Sequence, residues 1–176
     1  MSMRNLTVVT CALAIAIGTG AALAETPSLG KPISQADLAE WDINILPDGT
    51  NLPLGSGTAT DGAKIFAEKC ALCHGDNGQG GHAARLVGGP PKASLDGGKT
   101  IANYWPYATT LFDFIRRAMP FTQPRSLTDE EVYSLVAYLL ASNKLIGEND
   151  EINATTLPKV RMPNRDNFVV QFPDRI

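Results

Sequence analysis

Apolar positions recur at helical spacing most clearly between Thr128 and Asn143, where Val132, Leu135, Val136, Leu139 and Leu140 form one stripe. The spacing predicts an amphipathic helix. Its start is encoded locally: Thr128 and Glu131 make a capping-box pattern, and Leu127 with Val132 are placed as a hydrophobic staple. Asn143 suits the position just past its end. A second helix is expected to open at Thr60 or Asp61 and run to Cys70, with Ile65 and Phe66 at helical spacing. Gly62 inside it costs up to about 1 kcal/mol relative to alanine. That cost suggests a close crossing, with a plain helix-start glycine as the alternative; Tyr138 of the long helix is placed to meet Gly62 and Phe66 if the two helices cross. A shorter helix is expected from Thr110 as N-cap, ending before Met119-Pro120 because proline disfavours helix at the preceding residue.

The patterning fades elsewhere. Residues 25–58 are rich in proline and glycine, with turn signals at Pro47-Asp48-Gly49 and Pro53-Leu54-Gly55-Ser56-Gly57. Trp41, Ile43, Ile45 and Leu46 lie between them, so this arm either covers its own core or docks a partner. Residues 75–103 are glycine-rich and read as loops; residues 144–176 hold three prolines and read as an extended tail. At the other end, Arg4, the apolar run Leu6–Ile17 and Ala22-Leu23-Ala24 form a secretory signal pattern. The run is shorter than the about 20 residues of a membrane span. The expected division is therefore a signal peptide (1–24), an N-terminal docking arm (25–58), a compact mostly α domain (59–143) and an extended C-terminal tail (144–176).

Charge adds little. Removing the signal takes away Arg4 alone among charged residues, so the formal net charge moves from −3 to −4. No basic patch for nucleic acid and no polybasic membrane segment is visible, and no membrane span is expected after signal removal. Cys11 leaves with the signal, and the mature chain keeps Cys70 and Cys73.

These two cysteines carry the chemistry. Cys70-Ala71-Leu72-Cys73-His74 is a C-x-x-C-H run, the signature for covalent attachment of a c-type haem. Two thiols at this spacing add across the vinyl groups of one porphyrin, and the adjacent histidine ligates the iron. Export fits, because c-type haem is attached outside the bacterial cytoplasm. A zinc site wants further ligands, and His82 is the only other histidine. A thioredoxin-like pair wants a βαβ context, whereas the flanks here read as helix. One such run implies one haem.

A thioether as sixth ligand favours ferrous iron and raises the potential. Met119 and Met162 are the mature methionines; Met119 precedes the final helix in a position to return over the haem, and Met162 lies in the tail. His82 is the bis-histidine alternative. The Nδ1–H of His74 needs a backbone carbonyl, and the residues near Ala84 are placed to supply one. Trp105, Tyr104 and Arg117 are candidates for the haem propionates, with aromatic packing and a solvated helix face as the plainer alternatives.

Region 60–143 resembles a class I cytochrome c through Cys70-x-x-Cys73-His74-Gly75, Arg85-Leu86 with following glycines, Met119-Pro120 and Val136-Ala137-Tyr138-Leu139-Leu140. Class I members often have proline where Ala84 stands, but the role there needs only a carbonyl. Nearly the whole mature chain is similar to the cytochrome subunits of periplasmic sulfane dehydrogenases. Trp41-Asp42-Ile43, Phe66-Ala67-Glu68-Lys69-Cys70, the run Tyr104–Asp113, Arg116-Arg117-Ala118-Met119-Pro120 and Met162-Pro163-Asn164-Arg165-Asp166 carry that similarity. The resemblance implies a class I cytochrome c fold with extended arms and one covalent haem c. It also implies a non-catalytic periplasmic subunit that takes electrons from a molybdenum-cofactor dehydrogenase oxidising sulfur compounds and passes them to another cytochrome c. Some members carry two haems, and this chain has one C-x-x-C-H. Alternatives are a free periplasmic electron shuttle and a haem sensor or peroxidase.

Overall fold

The computed structural model describes residues 29–89 and 98–169; the expected signal segment 1–24 lies outside them. The chain divides into two units, one up to Trp41 and one from Asp42 onward. In the first, helix α1 (Gln35–Trp41) is opened by Ser34, whose hydroxyl accepts from the Asp37 amide at 3.1 Å. None of its residues is buried. The arm pattern of the sequence did not predict this helix.

The second unit is built on the crossing of α2 (Ala59–Lys69) and α6 (Asp129–Ser142). At the crossing the two backbones touch. A Cβ on Gly62 would lie 1.9 Å from the Ser134 carbonyl oxygen, and one on Gly57 would lie 2.2 Å from the Ser134 amide nitrogen. Glycine at both positions is thus the condition for seating Ser134 between them. Beside it, Phe66 meets Tyr138 with ring centroids 5.0 Å apart.

Helix α6 begins as its sequence predicts. Thr128 accepts from the Glu131 amide while the Glu131 carboxylate accepts from the Thr128 amide, completing the capping box. Its burial goes further than one stripe: Tyr133, Ser134 and Ala137 are buried as well. The arm and the tail cover the face expected to meet water. Tyr133 packs on Phe112 at 4.5 Å and donates its hydroxyl to the Pro53 carbonyl at 2.8 Å. Burial pushes the Tyr133 phenol up to about 12.

Two expected caps are displaced. Helix α2 starts after Thr58, not at Thr60 or Asp61, because Thr58 ends strand β1 (Ser56–Thr58) and its hydroxyl accepts from the Asp61 amide. Helix α5 (Ala108–Ala118) begins after Tyr107, without a side-chain cap, so Thr110 lies inside it. A short helix α4 (Ile101–Tyr104), inside the stretch read as loop, is held by a capping box of Thr100 and Asn103. Helix α3 (Ala71–His74) carries the haem motif.

Arm residues after Trp41 and the described tail pack on this core. Ile45 is buried, and its amide donates to Asp113 at 3.1 Å. Strand β2 (Glu151–Asn153) pairs antiparallel with β1, Gly57 opposite Ile152. Leu157 and Met162 are buried, and Asn164 donates to the Tyr104 carbonyl at 2.7 Å. Each fully buried apolar side chain contributes about 1.5–3 kcal/mol, enough in combination to order a tail that lacks helical periodicity.

Candidate haem site

The haem motif forms at the end of α2. The Cys70 amide makes the last bond of that helix, to Phe66, after which the chain turns into the single turn of α3. The amides of Cys73 and His74 both donate to the Cys70 carbonyl, at 3.1 and 3.0 Å. Gly75, at φ +78°, ends the turn in a conformation that side-chain-bearing residues rarely adopt. One helical turn thus brings Cys70, Cys73 and His74 to neighbouring positions.

Both thiols are free; Cys70 is half-buried and Cys73 exposed. Burial pushes the Cys70 thiol up to about 11, so it is protonated at neutral pH. That is unlike the lowered thiols of redox pairs and metal sites. Among the described residues no group of three or more His, Cys, Asp and Glu side chains is placed to hold a metal ion.

The His74 imidazole is fixed from behind. Its Nδ1 lies 2.7 Å from the Ala84 carbonyl oxygen, in the stretch where the sequence placed an acceptor. A carbonyl only accepts, so Nδ1 carries the proton and the Nε2 lone pair is left for a metal. The strap of residues 75–89 that supplies Ala84 is tied to the motif: the Gly80 amide donates to His74 and the Ala83 amide to Cys73, both at 2.8 Å.

Met119 follows α5, half-buried against the core, with its amide bonded to Ile115 at 3.0 Å and a cis peptide to Pro120. Met162 is 1% exposed and belongs to the core, so packing consumes its thioether. His82 is exposed on the strap two residues from Ala84, which holds the His74 ring.

The propionate candidates separate. The guanidinium of Arg117, a propionate candidate, binds both Asp113 oxygens, one turn earlier on the same helix, and Asn44 Oδ1. Trp105 packs edge-on to Phe114, and Tyr104 packs against Phe168 beneath the Lys99 ammonium. Both rings are half-buried. A cleft of about 390 Å³ lined by Pro47, Tyr107, Thr109, Lys159, Arg161 and Arg165 includes none of the C-x-x-C-H residues, so it is a separate feature.

Two free thiols on one helical turn and an imidazole protonated at Nδ1 fit a covalently attached haem. The family described as cytochrome c oxidase, cbb3-type, subunit III, matches residues 57–139. A chain in the crystal structure of the sulfane dehydrogenase SoxCD from Paracoccus pantotrophus superposes with a TM-score of 0.74 at 34% identity. The match covers 85% of this chain and 75% of that one. The chain is a c-type cytochrome of the SoxCD cytochrome-subunit family. It has the class I cytochrome c fold and holds haem c covalently, with Cys70 and Cys73 in the attachment motif. Thiosulfate dehydrogenase of Stutzerimonas stutzeri is 34% identical over 90 residues, 49% of this cytochrome and 28% of that protein. Thiosulfate dehydrogenase of Psychrobacter arcticus is 32% identical over 114 residues, 56% of this cytochrome and 33% of that protein. The chain thus spans about a third of the length of these curated relatives. No helix among the described residues is long and apolar enough to cross a membrane.

Proposed function

We propose that this cytochrome is the electron-transfer subunit of a periplasmic molybdenum dehydrogenase acting on a sulfur compound, and that it passes electrons to a further cytochrome c. Haem c supplies a one-electron ferric/ferrous couple. Cys70 and Cys73 hold it as thioethers, His74 ligates the iron through Nε2, and Met119 provides the thioether that favours the ferrous state. The chain itself breaks no substrate bond.

The observation that carries this reading is the extent of the likeness to the SoxCD chain. Residues from Asp42 onward make up less than the 85% of the chain that is matched, so the match reaches into the segment before Asp42. That segment shows an apolar surface. Leu29 is 87% exposed, Ile33 58% and Trp41 76%. Exposed apolar side chains of this size on one short segment suit a protein interface. The docking arm is therefore the part before Asp42, while the later arm residues and the tail serve the cytochrome's own core.

A specific observation favours a second reading, a free periplasmic shuttle: the segment from Ile45 to Thr58 and the described tail already pack on their own domain. Gentle purification of the tagged chain from periplasm, with molybdenum and iron measured in one fraction, separates the two. Comparable amounts of both metals with a larger co-eluting subunit support the dehydrogenase subunit. Iron without molybdenum overturns it. Deleting residues 25–41 is then expected to abolish co-elution and leave haem incorporation intact.

A further inference from the structure

Asn143 ends α6 and makes three side-chain hydrogen bonds. Nδ2 donates to the Leu139 carbonyl at 2.8 Å, within the last turn of its own helix. The other two have no part in capping. Nδ2 also donates to the Leu86 carbonyl at 3.3 Å, and Oδ1 accepts from the Gly88 amide at 2.8 Å. Both partners lie on the strap that presents the Ala84 carbonyl to His74.

The strap is pinned at two ends. Near the motif, Gly80 and Ala83 are bonded to His74 and Cys73. At the far end Asn143 grips Leu86 and Gly88, and the Thr100 hydroxyl donates to the Gly88 carbonyl at 2.6 Å. Ala84 lies between the pins. Its carbonyl direction is therefore set in part by a side chain 59 positions further along the chain, on a different helix.

We propose that Asn143 is a positioning residue for the haem iron: by clamping the strap to the end of α6 it holds the Ala84 carbonyl on His74 Nδ1 and so tunes the ligating nitrogen. This inference rests on His74 being the iron ligand. A carbonyl accepting from Nδ1 makes Nε2 a stronger donor and favours ferric iron. Loosening the clamp weakens that bond and raises the midpoint potential.

The test uses the haem-loaded protein. Asn143→Ala is expected to raise the midpoint potential and to speed hydrogen exchange at the Gly88 amide about fivefold, the factor for losing a net hydrogen bond of about 1 kcal/mol. Thr128→Ala weakens the same helix at its other end by about 1 kcal/mol and should leave the potential in place. An unmoved potential in Asn143→Ala, or an equal shift in Thr128→Ala, overturns the clamp. His74→Ala tests the premise separately. If it keeps the parent haem spectrum, the ligand assignment itself fails; if the spectrum changes while Asn143→Ala leaves the potential unmoved, only the clamp fails.

Discussion

The haem motif and the helix crossing are built on opposite plans. The motif is contiguous in sequence, a single helical turn from Cys70 to His74, with Leu72 87% exposed and Cys70 half-buried. The crossing of Gly62, Phe66, Ser134 and Tyr138 joins residues far apart in the chain and leaves no room for one more carbon atom. One region gathers the attachment chemistry on neighbouring residues; the other carries burial and no chemistry. Such a division separates the attachment residues from the packed crossing by one helix turn.

The largest effect should come from breaking the crossing. Gly62→Ala places a methyl group against the Ser134 backbone, which cannot yield as a flexible side chain would. A loss of about 3 kcal/mol or more is expected in denaturant unfolding; a loss below about 1 kcal/mol means the helices separate easily and the contrast collapses. On the other side of the comparison, Met119→Ala should leave the fold in place at a cost of about 2 kcal/mol, since Met119 is only half-buried. Its main effect should be a lower midpoint potential and binding of carbon monoxide by the ferrous protein. A variant with parent potential and no carbon monoxide binding removes Met119 from the ligand set.

Glu131 joins the two regions, capping α6 while pairing with Lys69 beside the motif. Burial opposes its ionisation, but the Lys69 hydrogen bond, the Thr128 amide and the Lys69 charge outweigh that and hold its carboxyl below the ordinary 4.5. A depressed carboxylate stabilises the fold above its unfolded pKa and loses that contribution as pH falls through the folded value. Glu131→Gln should therefore cost about 1 kcal/mol at pH 7 and flatten the fall in stability below about pH 4.5. A variant whose acid limb matches the parent's shows that other carboxylates govern acid unfolding. Smallest of all, Leu72→Ser should change stability by less than about 0.5 kcal/mol, because the side chain is already in water. A larger loss in thermal unfolding would mean that the Leu72 side chain is covered in the haem-loaded protein.

Contiguous features were legible in the chain: the C-x-x-C-H run and the Thr128–Glu131 capping box appear as expected. Two contacts between separated residues also appear as expected, the close approach at Gly62 and the carbonyl near Ala84. The Thr100–Asn103 cap had its own local signal, Thr-x-x-Asn, hidden by the glycines around it. Asn143 carried only the signal of a helix end; its grip on the strap shows no trace in sequence spacing.

Caps, periodic stripes and the haem pentapeptide rest on partners within about one helical turn, so the sequence alone determined them. Tertiary structure decided the rest: Met162 goes to the core, Arg117 reaches Asn44, and the later arm and tail close over α6. The bonds that make those choices, such as Ile45 to Asp113 and Tyr133 to Pro53, span 68 and 80 residues. Their loop-closure entropy is repaid only when many apolar groups are buried together. No local pattern records that sum.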